Sequence, residues 1–317
     1  MKASQRDHGG GIDAATTRYG GTRIDWIDLS TGINPQPYPI PAFPAGTWTQ
    51  LPDSAAMNAL ITAARHFWKV PEDIDILASS GASALIAQIP TLHATGEVVI
   101  PAPTYNEHAA SFDANGWQQS SHNPNAQIIV HPNNPDGRLW TPASLPAPEA
   151  QLTVIDESFC DVSPEKSLMP LAGRPGTLIL KSFGKFWGLA GLRLGFVIGD
   201  PTLLSHLRER LGPWSVSGPA LHIGAAALSD EKWATSTRLR LVEDSKRLDG
   251  LMQTAGAECL GGTTLFRLYN VSSGSDWQTR LAQHHIWTRT FPYNKQWLRL
   301  GLPTGEGWPR LERALTE

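Results

Sequence analysis

Cysteine is nearly absent from this chain of 317 residues, in which only Cys160 and Cys259 occur. Two cysteines so far apart resemble neither a disulfide framework nor a cysteine-based metal cluster. Ten histidines are present, but His8 and the pair His284 and His285 do not follow the spacing of a metal-binding motif, so we predict no metal site. The scarcity of cysteine favours a reducing compartment, and we expect a cytoplasmic protein.

Long apolar runs are also missing. No stretch reaches the ~18 consecutive apolar residues that a membrane-spanning helix requires, and the opening residues MKASQRDHGGG lack the apolar core of a signal peptide. The net charge is only −3, with acids and bases mixed along the chain. This distribution provides no basic stripe for nucleic acid. We therefore expect binding to neither nucleic acid nor membranes.

What remains is the composition of an ordinary folded chain, with 41% hydrophobic and 17% charged residues. A chain of this length usually exceeds a single core. We expect residues 1–45 to form an N-terminal arm and part of a small domain, 46–210 a large domain, and 211–317 a C-terminal small domain. Gly212-Pro213 and Gly218-Pro219 mark the second boundary, and residues 35–44, rich in proline, predict an extended surface connector.

The middle of the chain alternates between two periodicities. Residues 53–69 read as a capped helix with apolar residues on one face, and 231–254 as a long helix. Short apolar runs, typical of buried strands, lie between the helical and loop stretches. The pattern predicts an α/β fold with a mostly parallel sheet in the large domain and a smaller α+β domain after it. The apolar runs cover residues 74–77, 98–100, 128–130, 152–155, 178–180 and 195–198.

Polar segments follow five of these apolar runs. In a parallel sheet, the carboxyl ends of the strands meet at one edge, where ligands bind. The sequence therefore predicts one site built from five loops. They are Gly81-Ala82-Ser83, Pro103-Thr104-Tyr105, Asn133-Asn134-Pro135, Asp156-Glu157 and Ser182 to Lys185.

Lys185 lies in the string SFGKFWGLAGLRLG, residues 182–195. A lysine at the mouth of a sheet loses solvation and becomes a better nucleophile, although a lone lysine is usually a surface residue. Ser182 and Arg193 could together bind a phosphate, by a hydroxyl and a planar guanidinium. The whole string resembles the lysine signature of the class I/II aminotransferases, which are pyridoxal-phosphate-dependent enzymes of fold type I. The resemblance implies that Lys185 is the catalytic residue and holds pyridoxal 5'-phosphate as a Schiff base.

The other loops match this family in the family's order. The match implies that Gly81, Ala82 and Ser83 bind the cofactor phosphate at a helix start, where backbone N–H groups and the helix dipole favour an anion. It also implies that Asp156 pairs with the pyridine nitrogen, which keeps the ring an electron sink. Glu157 is interpreted as a supporting or surface residue. The resemblance further assigns ring stacking to Tyr105, the ring hydroxyl to Asn134, and the phosphate to Ser182 and Arg193.

Residues near both ends resemble the family's substrate-binding positions. Arg299, in WLRLG, matches the arginine that binds the substrate carboxylate bidentately. Arg289 is ten residues earlier and could reach a second anionic group. His8-Gly9-Gly10 followed by DLSTGINP (28–35) is similar to the opening of the threonine-phosphate decarboxylases within this family. By this resemblance His8, Gly9 and Asn34, with Asn134, contact a phosphorylated amino acid.

The resemblance thus implies a homodimeric enzyme that decarboxylates O-phospho-L-threonine to (R)-1-aminopropan-2-yl phosphate for cobalamin biosynthesis. Two alternatives stay open: an aminotransferase acting on histidinol phosphate or an aromatic amino acid, and a non-catalytic partner protein with this fold. One position departs from the family. Leu51 stands where a tyrosine usually reaches the partner subunit's cofactor phosphate, which predicts weaker cofactor binding or substitution by another group such as Trp48.

Overall fold

The computed structural model describes residues 8–120 and 122–316. The chain divides into two compact units. We call Pro37–Asn134 with Arg138–Ser236 the sheet unit, and the described residues up to Gln36, Pro135–Gly137 and those from Thr237 onward the terminal unit. Domain boundaries after residues 45 and 210 stay a prediction.

Helices and strands alternate through most of the described chain. None of the described helices is both long enough and apolar enough to cross a bilayer. The helices are α1 (Ile12–Tyr19), α2 (Ser54–Trp68), α3 (Ala82–Gln88), α4 (Asn106–Ala114), α5 (Pro201–Leu211), α6 (Gly218–Leu228), α7 (Glu231–Thr254), α8 (Gly274–Gln283) and α9 (Gly307–Thr316). The strands are β1 (Ile27–Asp28), β2 (Asp75–Ser79), β3 (Glu97–Val99), β4 (Gln118–Gln119), β5 (Ala126–Val130), β6 (Leu152–Asp156), β7 (Thr177–Ser182), β8 (Gly195–Gly199), β9 (Glu258–Thr263), β10 (Phe266–Asn270), β11 (Ile286–Trp287), β12 (Arg289–Phe291) and β13 (Asn294–Gly301).

The sheet unit is organised around a seven-stranded sheet in the order β2-β8-β7-β6-β5-β3-β4. The pairs β7–β6, β6–β5, β5–β3 and β3–β4 are parallel, whereas β8 runs antiparallel to both of its neighbours, β2 and β7. Every residue of β5 and β6 is buried, which explains why both strands are rich in apolar residues. The predicted α/β fold with a mostly parallel sheet is confirmed.

Helix α2 shows how local sequence sets these elements. The Asp53 carboxylate accepts the N–H of Ala56 at 3.1 Å and so caps the first turn. The helix ends at Trp68, and the next residue, Lys69, adopts a left-handed conformation (φ 53°). Between these ends Leu60, Ala64 and Trp68 are buried, and α2 packs against α6. The helix predicted at residues 53–69 is therefore present.

The terminal unit contains a four-stranded antiparallel sheet in the order β12-β13-β10-β9, and a separate parallel pair, β1 with β11. In the register of the β12–β13 pair, Arg289 lies opposite Arg299. Side chains that lie directly opposite each other in an antiparallel pair project from the same face of the sheet. The fold therefore places two of the arginines that the sequence singled out side by side on one face.

Candidate active site

The polar loops predicted from the sequence lie at one edge of the seven-stranded sheet. Strands β3, β5, β6 and β7 run parallel, and β2 runs the same way because both β2 and β7 are antiparallel to β8. The carboxyl ends of these five strands therefore share an edge, and β8 begins there. All the sequence-predicted cofactor-binding residues lie at or after these strand ends or just before β8, within the sheet unit.

The turn between β2 and α3 lets another group come close to its backbone. Gly81 has φ 89°, a conformation that disfavours a side chain. A Cβ on Gly81 would lie 2.7 Å from Nη2 of Arg193, so the guanidinium reaches this turn. Arg193 itself is left-handed (φ 53°), and its Nη1 donates to the carbonyl of Ala190 at 3.0 Å. The first N–H groups of α3, including those of Ala82 and Ser83, have no partner within a helix. The turn thus combines backbone donors and a cation, which suits a phosphate.

Gly195 is the second constraint on this turn. A Cβ there would lie 2.3 Å from the backbone nitrogen of Ala82. We expect Gly195→Ala to displace the turn and weaken pyridoxal phosphate binding by roughly 10- to 100-fold, the range that overpacking produces. Titration of the apo-protein with the cofactor measures the change. Gly191→Ala is the matched control, because a Cβ at Gly191 would meet nothing within 4 Å. Equal losses in both variants would contradict the prediction.

Lys185 lies in the loop that follows β7. Its side chain is half-buried, and its Nζ lies 5.5 Å from the centroid of the Phe159 ring. The backbone holds the loop in place: Gly188 N–H donates to the carbonyl of Lys185 at 3.1 Å, and Phe183 N–H to that of Leu194 at 3.0 Å. Ser182, at the end of β7, lies opposite Gly195, the first residue of β8. The loop therefore presents one amine beside an aromatic ring at the ligand-binding edge.

Asp156 ends β6 and is buried. Its Oδ2 lies 2.8 Å from Nε2 of His108, and its Oδ1 accepts from the backbone and the hydroxyl of Ser158 at 2.9 and 2.5 Å. Burial alone would raise the pKa of Asp156, but the hydrogen bond and charge of His108 and the two bonds from Ser158 outweigh it, so the pKa lies below its ordinary value. The site therefore contains a buried carboxylate that stays ionised.

Tyr105 immediately precedes α4, and its ring centroid lies 5.9 Å from that of His108, edge to face. Asn133 ties the neighbouring loops together, because it accepts from the Thr104 hydroxyl at 2.6 Å and donates to the carbonyl of Pro103 at 3.0 Å. The half-buried Asn134 follows it directly. His108 was not among the predicted site residues, and Asn133 was placed in one of the five predicted loops without a role of its own. The three-residue spacing of Tyr105 and His108, which places both on one face of a helix start, could have indicated His108.

In the terminal unit, Ser30 connects two of the predicted substrate-binding positions. A Cβ on Gly9 would lie 2.4 Å from the carbonyl oxygen of Ser30, so only glycine fits there. The same carbonyl accepts from Nη2 of Arg299 at 2.6 Å. Gly10 N–H donates to the hydroxyl of Ser30 at 2.6 Å, and the carbonyl of Gly10 accepts from the Trp287 indole at 2.9 Å. The N-terminal glycines and Arg299 therefore meet at one short segment.

The other predicted substrate-binding residues lie in the same unit, except Asn134, which belongs to the sheet unit. Arg299 is buried (5% exposed) and projects from the same face as Arg289. Two guanidinium groups on one face of the sheet are suited to bind an anionic ligand. Asn34 is buried and accepts from Nη2 of Arg240 at 2.7 Å, an arginine that the sequence had not singled out. His8 is exposed.

One group of side chains has the composition of a metal site. Single ligand atoms of His131, Glu157 and Cys160 all lie within 4.8 Å of one another. The protein already uses most of them: Nδ1 of His131 accepts from the N–H of Trp140 at 3.0 Å, and its Nε2 bonds the carbonyl of Lys166 at 2.8 Å. Glu157 is ion-paired, and burial raises the pKa of the Cys160 thiol. We therefore assign no metal to this group.

The departure at Leu51 is visible in the sheet unit. Leu51 is 68% exposed and Trp48 is 74% exposed in this single chain. Trp48 lies edge to face with Phe43, with ring centroids 5.6 Å apart. Whether Trp48 replaces the usual tyrosine stays a prediction.

Comparison with known proteins identifies the family of this chain. The family model "Aminotransferase class I and II" matches residues 24–311, and the chain belongs to that family. Proteins named threonine-phosphate decarboxylase are similar over nearly their whole length: one from Pseudomonas aeruginosa is 38% identical, covering 98% of this chain and 97% of that protein, and one from a Sinorhizobium species is 40% identical, covering 97% of each. The crystal structure of histidinol-phosphate aminotransferase from Sinorhizobium meliloti, in complex with pyridoxal-5'-phosphate, has the same fold (TM-score 0.83, 18% identity, 98% of this chain and 94% of that one).

Proposed function

We propose that this chain is a pyridoxal-phosphate-dependent decarboxylase that converts O-phospho-L-threonine to (R)-1-aminopropan-2-yl phosphate for cobalamin biosynthesis. The similarity to threonine-phosphate decarboxylases over nearly the full length supports the substrate. The observation that carries the proposal is the meeting of Gly9, Ser30 and Arg299 in the terminal unit, with Arg289 beside Arg299. Two adjacent cations match a substrate that carries both a carboxylate and a phosphate.

The residues of the sheet unit fit the cofactor. The glycine turn at Gly81, with Arg193 directed at it, fits the phosphate because a Cβ would fill the space beside the guanidinium. The buried, ionised Asp156 suits a protonated ring nitrogen. Ser83 and Ser182 would add phosphate contacts, Tyr105 a stacking surface and Asn134 a bond to the ring hydroxyl. When bound at Lys185, the cofactor supplies an electron sink for the pair left on the substrate carbon.

The protein's own groups then set the outcome. Arg299 binds the substrate carboxylate, and Arg289 with the His8 segment binds the phosphate. In the reaction the bond between the substrate carbon and its carboxylate breaks, carbon dioxide leaves, and a proton from Nζ of Lys185 is added to the same carbon. An aminotransferase would instead remove the hydrogen from that carbon. Arginine is suited to orient the carboxylate because its planar fork fixes the angle of the bound group.

Product analysis with O-phospho-L-threonine tests the proposal. We expect carbon dioxide and the phosphorylated amine in equal amounts without any oxo acid, and little turnover of unphosphorylated L-threonine. If turnover requires 2-oxoglutarate and yields a pyridoxamine form of the cofactor, the chain is an aminotransferase. If the cofactor binds but no amino acid turns over under either condition, the non-catalytic alternative is correct.

We also propose that the protein is a cytoplasmic homodimer. The apolar side chains of Ile40, Trp48 and Leu51 are each more than 60% exposed in the single chain, which suits burial against a second copy. Sedimentation at micromolar concentration decides between monomer and dimer.

A further inference from the structure

A cluster of buried charged side chains joins the ends of β6 and β7. Nζ of Lys181 lies 2.6 Å from Oε2 of Glu157 and 3.7 Å from Oδ1 of Asp161. Lys181 is 2% exposed, Glu157 1% and Asp161 4%. We call these three residues the charged cluster. The sequence had suggested a supporting or surface position for Glu157, and the surface alternative is wrong because Lys181 neutralises its charge inside the protein.

The carboxylates of the charged cluster accept further hydrogen bonds. Glu157 accepts from the Ser167 hydroxyl at 2.7 Å. Asp161 accepts from two indole N–H groups, those of Trp68 at 2.9 Å and Trp187 at 3.2 Å. Burial alone would raise the pKa of Glu157, but the charge and hydrogen bond of Lys181 outweigh it and lower the pKa. The pair of Glu157 with Lys181 is therefore ionised, and the charged cluster is tightly hydrogen-bonded.

One side of the charged cluster is tied to Asp156. Glu157 follows Asp156 directly, and its backbone N–H donates to the carbonyl of Leu180 at 3.0 Å, which bonds the end of β6 to β7. Lys181 is the next residue on β7. The side-chain ion pair between Glu157 and Lys181 therefore joins β6 to β7 directly beside the backbone bond between Glu157 and Leu180. Together they fix where the Asp156 carboxylate stands.

The other side of the charged cluster is tied to Lys185. Trp187, a donor to Asp161, is two residues after Lys185 in the same loop. Phe159, whose ring faces Nζ of Lys185, is two residues before Asp161 and immediately precedes the short 3₁₀ helix Cys160–Val162. Any shift of Asp161 would therefore be transmitted to Lys185 along two routes.

We propose that the charged cluster of Glu157, Lys181 and Asp161 is a positioning device that holds Asp156 and Lys185 at a fixed separation. In the proposed function, on which this inference rests, Asp156 and Lys185 would both hold the cofactor ring, Asp156 at its nitrogen and Lys185 through the Schiff base. None of the three cluster residues needs to touch the cofactor for this purpose. They are positioning residues, not catalytic residues.

A purely structural role would not require charge. Replacing a buried ion pair by uncharged residues of similar volume often leaves stability unchanged or improves it, whereas removing one partner destabilises strongly. The double variant Glu157→Gln with Lys181→Met therefore removes the ion pair without leaving a buried charge from that pair. Asp161 keeps its two indole donors but loses the charge of Lys181, so we expect a moderate fall in the melting temperature, and the cofactor measurements decide the role of the cluster.

The experiment compares cofactor geometry in the wild type and the double variant. We expect the circular dichroism of the cofactor band, per unit absorbance, to fall in the double variant, because a loosely held chromophore loses its fixed orientation. We also expect apo-protein affinity for pyridoxal phosphate to fall, and kcat to fall by roughly 10- to 100-fold with KM nearly unchanged, since misplacement of about 1 Å has effects of this size.

A second pair of variants keeps the inference testable if the double variant does not fold. Trp187→Phe removes one indole donor to Asp161, whereas Trp233→Phe makes the same change in the ring stacked on Trp187, with centroids 5.3 Å apart. Each variant removes one indole from the same ring stack, but only Trp187→Phe removes a hydrogen bond to the charged cluster. We expect the cofactor dichroism and kcat to fall in Trp187→Phe alone.

The outcomes separate the two proposals. If the variants lower only the melting temperature, or if Trp233→Phe changes the dichroism as much as Trp187→Phe, the charged cluster is structural and the inference is wrong. If the wild type shows no absorbance from a lysine-linked cofactor, the proposed function itself fails, and it does so before any variant is measured.

Discussion

Replacing Lys185 by alanine is expected to abolish the absorbance of the lysine-linked cofactor and to lower kcat by at least about 10⁴-fold, the upper range for a general acid or base. The physical reason is that the same Nζ both anchors the cofactor and delivers a proton to the substrate carbon in the proposed reaction. Absorbance spectra of the purified protein and turnover of O-phospho-L-threonine measure the two effects.

Two controls make the Lys185 result specific. Lys166→Ala removes an exposed lysine whose carbonyl, not its amine, bonds His131, so absorbance and turnover should stay at wild-type values. Lys185→Arg retains a cation but cannot form the link, because a guanidinium stays protonated at working pH. It should bind the cofactor without turnover. An unchanged spectrum in Lys185→Ala would exclude this residue as the anchor.

Much of the sheet unit could be predicted because its signals are local. Asp53 before an apolar helical face predicts the start of α2. The short apolar runs within β5 and β6 predict buried strands. The position of Lys185 followed from the string around it. Each of these inferences needs only neighbouring residues, so one sequence is enough.

Other elements could not be predicted because their determinants are distant or unusual. Strand β9 contains Gly261 and Gly262, both with positive φ (154° and 130°), and a pair of glycines normally argues against a strand. The proline-rich segment at 35–44 was expected on the surface, yet Tyr38 is buried and its N–H donates to the carbonyl of Trp187 at 2.9 Å. That bond spans residues far apart in sequence, and no local pattern indicates it.

The same limit explains which polar residues were missed. Lys181 pairs with a carboxylate 24 residues earlier, and His108 with one 48 residues later. A lysine in a strand usually reads as exposed, because lysine is almost never buried unless paired. Only the folded sheet shows that the pairing partner exists. The roles of the individual site residues stay predictions until variants are measured.

Asp156→Asn is expected to lower kcat by roughly 10²- to 10³-fold, the range for loss of one strong electrostatic contact in a water-excluded site. The amide is neutral, so it no longer stabilises a protonated ring nitrogen, and the electron sink weakens. The amide oxygen can still accept from Ser158, but the amide no longer carries the charge that faces His108. Steady-state kinetics and cofactor titration measure the loss.

Ser158→Ala is the matched control for Asp156, because it removes a hydrogen bond to the same carboxylate and keeps the charge; its kcat should fall less than about tenfold. A pH titration of stability adds a second check. Because the folded pKa of Asp156 is lowered, its contribution to stability is complete above the ordinary value of 3.8 and is lost as the pH falls through the folded value. In a plot of melting temperature against pH, Asp156→Asn should remove the part of the decrease at acid pH that comes from this carboxylate. Ser158→Ala should only shift that decrease to higher pH. If both variants lose activity equally, the hydrogen bonds of Asp156 matter more than its charge.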